Sequence, residues 1–187
     1  MIGSKIVHLI VAVSDDYGIG NKGDLLFKSK KDLKIFQDKT LGGSVIMGKK
    51  TFDSLPNGPL PGRSNLVLTS SSYNVPGCRQ FSKISDIISY ITDLEGNEPI
   101  FIIGGASIYK QFLPYTDIIH MTRFNRLVEA DTFFPSDFEK DFELLSSSGE
   151  YEEPGCPSFK IEIYIRKCSN VHYVIKNLMI AGKLSIT

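Results

Sequence analysis

The sequence predicts an α/β fold built on a mostly parallel sheet, and three observations carry that expectation. Short β-branched runs recur along the chain, and several are apolar without alternation, such as LVL at 66–68 and IFII at 100–103. Strands buried on both faces read this way, whereas one-sided strands alternate. Segments of helical periodicity lie between the runs, and strands alternating with helices close into a parallel sheet through right-handed crossovers. A chain of 187 residues has room for one such domain with a substantial core.

Strands are expected at residues 6–13, 44–48, 65–69, 100–103, 118–122 and 161–165. The first run is broken by His8 and ends in Asp15-Asp16, which reads as a buried strand rather than a signal peptide. Helical spacing covers 30–39, where Leu33, Phe36 and Ile35 make an apolar stripe, and 85–94, through Ile87, Ile88, Ile91 and Leu94. A third helix, 107–113, stops at Pro114, which cannot easily continue it. The late strands, separated by loops such as 150–157, are expected as an antiparallel addition at one edge. Residues 1–167 thus read as one domain and 168–187 as an extension. In that extension Val171, Val174 or Ile175, and Leu178 have helical spacing, while Lys176 and Lys183 exclude a membrane span. Docking on the body, self-association and a partly ordered tail all stay open for it.

Basic and acidic residues balance at 21 each, so the chain carries no electrostatic footprint for nucleic acid or an anionic membrane. No apolar run approaches the roughly 20 residues that span a bilayer. Cys78, Cys156 and Cys168 are odd in number and lack metal-ligand spacing, which argues against a disulfide scaffold or a zinc site and for a reducing, cytoplasmic compartment.

Three strand ends suit a phosphate-bearing ligand. Gly48-Lys49-Lys50-Thr51 follows SVIM and opens a helix, where free N–H groups, a positive dipole end, two lysines and a hydroxyl gather. Thr69-Ser70-Ser71 follows NLVL, and Gly104-Gly105 follows IFII, where paired glycines let backbone approach a pyrophosphate. Each has a plain reading as well: a solvated lysine pair, a serine-rich turn, a ligand-free glycine turn. Together they would line the carboxyl edge of one sheet, where open α/β sheets bind dinucleotides.

Asp32 is the acid of interest. Phe36 lies one turn on and Leu33 borders the same face, so in a closed cleft the carboxyl would be desolvated and its pKa raised. The competing reading is local: Ser29-Lys30-Lys31-Asp32 fits the S-x-x-D form related to a capping box, in which Asp32 only satisfies a helix terminus.

The segments IVAVSDDYGIGNKGDLL, KKDLKIFQDKT, VIMGKKTFDSLP, PLPGRSNLVLTSS, IFIIGGASIYKQFLP and EADTFFP stand in the order seen in dihydrofolate reductase, and the chain resembles that family over residues 6–167. The resemblance implies a three-layer fold with a mostly parallel eight-stranded central sheet and flanking helices. It implies reduction of 7,8-dihydrofolate by NADPH, with hydride transfer to C6 and protonation at N5. Asp32 matches the family's catalytic acid and Thr122 the threonine that buttresses it. Ile10, Ala12, Leu33, Phe36, Leu55 and Ile103 match walls of the pterin and benzoyl site, and Arg63 matches the arginine that grips the glutamate α-carboxylate.

On the cofactor side, Ala12, Ile19 and Gly20 match the nicotinamide end. Gly48, Lys49, Thr51, Thr69 and Ser70 match the phosphate and adenosine end, and Gly104-Gly105 the pyrophosphate turn, cis in the family. Residues 15–26 match the mobile loop that closes over the nicotinamide. No metal is implied. The chain departs from the pattern at Leu26-Phe27, where the family usually has Pro-Trp, and at Lys49, where arginine is more usual. Family members are often monomeric. Two other functions remain as alternatives: a related NADPH-dependent pyrimidine reductase of riboflavin synthesis, and a structural or assembly protein retaining the fold.

Overall fold

In the computed structural model, residues 2–70 and 76–167 are described. The strands in chain order are β1 (Val7–Val13), β2 (Gly18–Asn21), β3 (Asp24–Leu25), β4 (Ser44–Gly48), β5 (Ser64–Leu68) and β6 (Arg79–Phe81). They continue as β7 (Ile100–Gly104), β8 (Ile118–Phe124), β9 (Thr132–Phe133), β10 (Phe142–Ser147), β11 (Tyr151–Glu153) and β12 (Cys156–Arg166). The helices are α1 (Lys30–Thr40), α2 (Lys49–Asp53), α3 (Ile84–Asp93) and α4 (Ala106–Phe112).

The main sheet runs β10-β12-β8-β1-β7-β4-β5-β6, eight strands along one path, with β11 attached to β12. Every pair from β8 to β6 is parallel. Only β12 against β8, and β10 and β11 against β12, are antiparallel, forming the expected edge addition. A second sheet, β3-β2-β9, stands apart. Its strands are only two to four residues long, and β2 is half glycine, which is why no apolar run announced them.

Strand β1 shows how two layers meet. Val7, Leu9, Val11 and Val13 are buried and alternate with half-buried His8, Ile10 and Ala12, the period-2 geometry of a strand. The valine face joins the large core with Ile87 and Ile91 of α3, Ile108, Tyr109 and Phe112 of α4, and Phe134 and Phe138. On the other face Val45, Met47, Phe52, Val67 and Phe101 form a smaller cluster, against which Ile10, Leu55, Leu60 and Ile103 pack.

Helix α1 differs from its expected stripe. Its one buried residue is Thr40, at the last position; Ile35 and Phe36 are only half-buried, and Leu33 is 51% exposed. The helical spacing is present, but the apolar face is not sealed into a core. Helix α3 follows its pattern, with Ile87 and Ile91 buried and Leu94 as C-cap. Ser71 and residues 168–187 lie outside the described residues, and so do the expectations placed on them.

Candidate active site

Because β1, β7, β4 and β5 are parallel neighbours, their carboxyl ends emerge side by side. A cavity of about 650 Å³ opens there, lined by Ala12, Ile19, Gly20, Gly48, Lys49, Thr51, Thr69, Ser70, Ile103 and Gly105 among others. Gly104 sits one residue behind the wall, joined to Gly105 by a cis peptide. Its φ of +116° suits glycine, and a Cβ there would stand 3.0 Å from the Tyr109 hydroxyl.

Helix α2 is a single turn of five residues with Gly48 as N-cap and no side-chain cap. So few aligned peptides make a small dipole, and the backbone N–H groups, hydroxyls and lysines carry most of the attraction for an anion. Lys49 Nζ is already paired with Asp53 at 2.5 Å, an i,i+4 contact at the surface. Above the cleft, residues 18–25 form a β2–β3 hairpin whose turn, Lys22-Gly23, has both φ angles positive (52° and 87°), as a type I′ turn requires. The hairpin is tied down by Asp131: its Oδ2 accepts from Lys22 N at 2.8 Å and its N–H donates to Gly20 O at 3.1 Å.

Asp32 lies in the first turn of α1, half-buried. Burial pushes its pKa above the usual carboxylate value; the Thr122 side chain acts against that rise, and the nearby Glu153 charge adds to it. Thr122 is buried on β8, in register with Ala12 of β1. The cap at this helix start is Ser29, whose Oγ accepts the Asp32 N–H at 3.0 Å. Glu153 completes it, accepting from Ser29 Oγ at 2.6 Å, Lys30 N at 3.0 Å and Lys31 N at 3.3 Å. The S-x-x-D pattern is therefore present in its Ser29 half, the Ser29 hydroxyl accepting the Asp32 N–H, while the carboxylate that takes the free N–H groups of Lys30 and Lys31 is that of Glu153.

At the other end of α1, Arg63 reaches across from the PLPGR corner, its Nη1 donating to Thr40 Oγ1 at 3.0 Å and its Nε to Pro61 O at 3.0 Å. Buried Asn65 braces that corner through bonds with Leu60 N, Leu60 O and Arg63 O. Ile10, Leu55 and Ile103 are partly buried and pack on the same apolar cluster of Val45, Met47, Phe52, Val67 and Phe101. Leu33 and Phe36 belong to α1, Leu33 on its exposed side.

Sequence reasoning passed over Glu153, Asn65, Asp131 and Tyr109. The Tyr109 hydroxyl donates to Ile10 O at 2.8 Å, and its pKa is raised first by burial and then by the Asp32 charge. Only Tyr109 left a local signal, standing three residues before Phe112 on the buried face of α4. Phe27, the departure from the family pattern, stacks on Phe124 with centroids 4.2 Å apart, and Phe124 packs on Phe159 at 5.0 Å. Its ring therefore sits in an aromatic stack with no donor of its own to offer a neighbour.

The family model for dihydrofolate reductase matches residues 6–166. The dihydrofolate reductase of Bacillus subtilis (strain 168) is 34% identical over 167 residues, covering 88% of this chain and 97% of that protein. That of Heliothis virescens is 33% identical over 177 residues, covering 84% and 96%. A solved structure of dihydrofolate reductase from Enterococcus faecalis, complexed with NADP(H), matches with a TM-score of 0.78 at 28% identity, over 87% of this chain and 96% of that one.

Proposed function

The chain belongs to the dihydrofolate reductase family, and from that premise we propose which of its residues carry the NADPH-dependent reduction of 7,8-dihydrofolate to tetrahydrofolate. The cavity fits an extended dinucleotide. Gly48 and Gly105 line it, and a Cβ would stand 3.1 Å from Ile108 Cγ1 at the first and 3.4 Å from Thr51 Oγ1 at the second. Gly105 and the hydroxyls of Thr51, Thr69 and Ser70 would hold the phosphates and adenosine, with Lys49 at the 2′-phosphate after exchanging Asp53 for it. Ala12, Ile19 and Gly20 would bound the nicotinamide end. When bound, NADPH supplies the hydride.

The observation that supports the rest is Asp32: a half-buried carboxyl with a raised pKa, beside buried Thr122. Asp32 pairs with the pterin amino group and ring nitrogen, and its charge favours the pterin protonated at N5, which makes C6 the better hydride acceptor. Thr122 holds the carboxyl in place. Ile10, Leu55 and Ile103 form the apolar floor, Leu33 and Phe36 the helix wall, and the Arg63 guanidinium takes the glutamate α-carboxylate, for which its planar fork is suited. The β2–β3 hairpin shields the reacting atoms from water.

The test is NADPH consumption with dihydrofolate, with and without methotrexate. Methotrexate-sensitive consumption is expected; saturable NADPH binding without turnover would favour a retained fold put to another use. Two narrower proposals have separate support. The apolar spacing in 168–187 suggests self-association, which sedimentation of the full chain against one ending at Lys167 would test. Unpaired Cys78 and Cys156 suit a reducing cytoplasm, and cell fractionation tests that placement.

A further inference from the structure

We propose that Glu153 is a positioning residue for Asp32: from the β11–β12 hairpin it grips the first turn of α1, setting where the Asp32 carboxyl stands and how readily it holds a proton. The inference rests on the reading of Asp32 given above.

Helix α1 has little else to hold its N-terminal end. Its one buried residue, Thr40, is at the opposite terminus, and most of its other side chains face solvent wholly or in part. A helix is normally seated by its apolar face. Here the seat beneath Asp32 is polar. Glu153 accepts three hydrogen bonds, two from backbone N–H groups that the helix start leaves without partners and one from the Ser29 hydroxyl. Ser29 is 1% exposed and passes the contact on, its Oγ accepting the Asp32 N–H. The path from Glu153 to the Asp32 backbone is thus two hydrogen bonds long, and those to an ionised acceptor are the stronger kind.

The hairpin is itself anchored. Glu153 pairs with Cys156 across the Pro154-Gly155 turn, where Gly155 has a φ of +79°. Tyr151 stacks on buried Phe159 at 5.3 Å, and Lys31 Nζ lies 4.0 Å above the Tyr151 ring. Lys31 is therefore a second contact between the hairpin and the turn that carries Asp32.

The same contact has an electrostatic side. Donors on Ser29, Lys30 and Lys31 favour the ionised form of Glu153, and its negative charge opposes ionisation of Asp32. The other groups coupled to Asp32 are Thr122 from β8, Tyr109 from α4 and Cys156 from β12. Tyr109 and Cys156 have raised pKa values and are neutral at physiological pH, so Glu153 is the fixed negative charge among them.

Three variants, Glu153→Gln, Glu153→Ala and Glu153→Asp, separate charge from grip when single-turnover hydride transfer is followed against pH beside Asp32→Asn. Glu153→Gln keeps an acceptor and removes the charge, so the apparent pKa of hydride transfer should move down while affinity for NADPH stays unchanged. Glu153→Ala should show that shift and also raise KM for dihydrofolate roughly fivefold, the equilibrium equivalent of one lost helix cap. Glu153→Asp should return the profile toward wild type. If Glu153→Gln and Glu153→Ala lower Tm but leave pH profile and KM untouched, Glu153 is only a structural cap and the inference fails while the Asp32 reading stands. If Asp32→Asn itself turns over normally at neutral pH, the Asp32 reading fails and takes the inference with it.

Discussion

His8 of β1 and His120 of β8 should make this protein lose stability in mild acid. Their rings stack with His8 Nδ1 2.9 Å from His120 Nε2, a separation that one shared proton satisfies and two would not. Among the described residues His120 Nδ1 is buried without a hydrogen-bond partner, so nothing stands ready to stabilise a charge there. Burial holds the His8 pKa down at about 4, with the Lys39 charge of α1 adding to the effect, and burial, His8 and Lys39 lower His120 as well.

In the unfolded chain both titrate near 6.5. Between that value and the lower folded one, the unfolded state binds more protons, so stability present above pH 6.5 is lost as the pH falls. For His8 alone, going from 6.5 to about 4, the loss between pH 8 and pH 5 comes to about 2 kcal/mol, a sizeable part of the roughly 5–15 kcal/mol available to a domain. With a urea m-value near 2 kcal/mol/M, the unfolding midpoint should drop by about 1 M. Far-UV circular dichroism is the suitable probe, since the chain has no tryptophan. The double variant His8→Gln/His120→Gln should flatten the dependence. Asp32, whose raised pKa acts with opposite sign, is common to both proteins and cancels in the comparison. A double variant that weakens between pH 8 and 5 as steeply as wild type would refute the argument.

Asp32→Asn should slow hydride transfer by about 10²–10⁴-fold while leaving NADPH affinity unchanged. Because the folded pKa of Asp32 is raised, its ionised form costs stability at neutral pH, so the same variant should unfold at a higher urea concentration than wild type. Lys49→Ala should raise KM for NADPH several-fold and leave NADH unaffected, since surface ion pairs such as Lys49–Asp53 are worth about 1 kcal/mol or less and yield easily to a phosphate; equal losses with both cofactors would remove Lys49 from the 2′-phosphate. Gly43→Ala should destabilise by about 1–3 kcal/mol without changing the chemistry, because a Cβ there would stand 2.7 Å from Pro99 O and 2.9 Å from the Phe101 ring. Chemical denaturation together with kcat measures both effects.

Much of the fold could be read one element at a time. The apolar runs of β1, β4, β5, β7 and β8 and the spacing of α3 are local patterns, and local patterns follow from the burial of side chains a few positions apart. The three strand ends that line the cavity were legible for the same reason: glycines, hydroxyls and lysines directly after an apolar run. Asp32 was visible as a candidate, but its neighbours within the chain argued as well for a cap, and family resemblance rather than spacing separated the two readings.

Long-range pairing settled the rest. That β7 lies between β1 and β4, bringing the three ends to one cleft, is a matter of strand order, which no run of residues encodes by itself. Glu153 reaches Lys30 across 123 positions, and His8 meets His120 across 112, so neither partner leaves a mark on the other's surroundings in the chain. Periodicity tells a residue which face it shares with neighbours one turn or two strand positions away. Which distant group completes that face depends on the packing of the whole chain, and at the head of α1 that group is the Glu153 carboxylate.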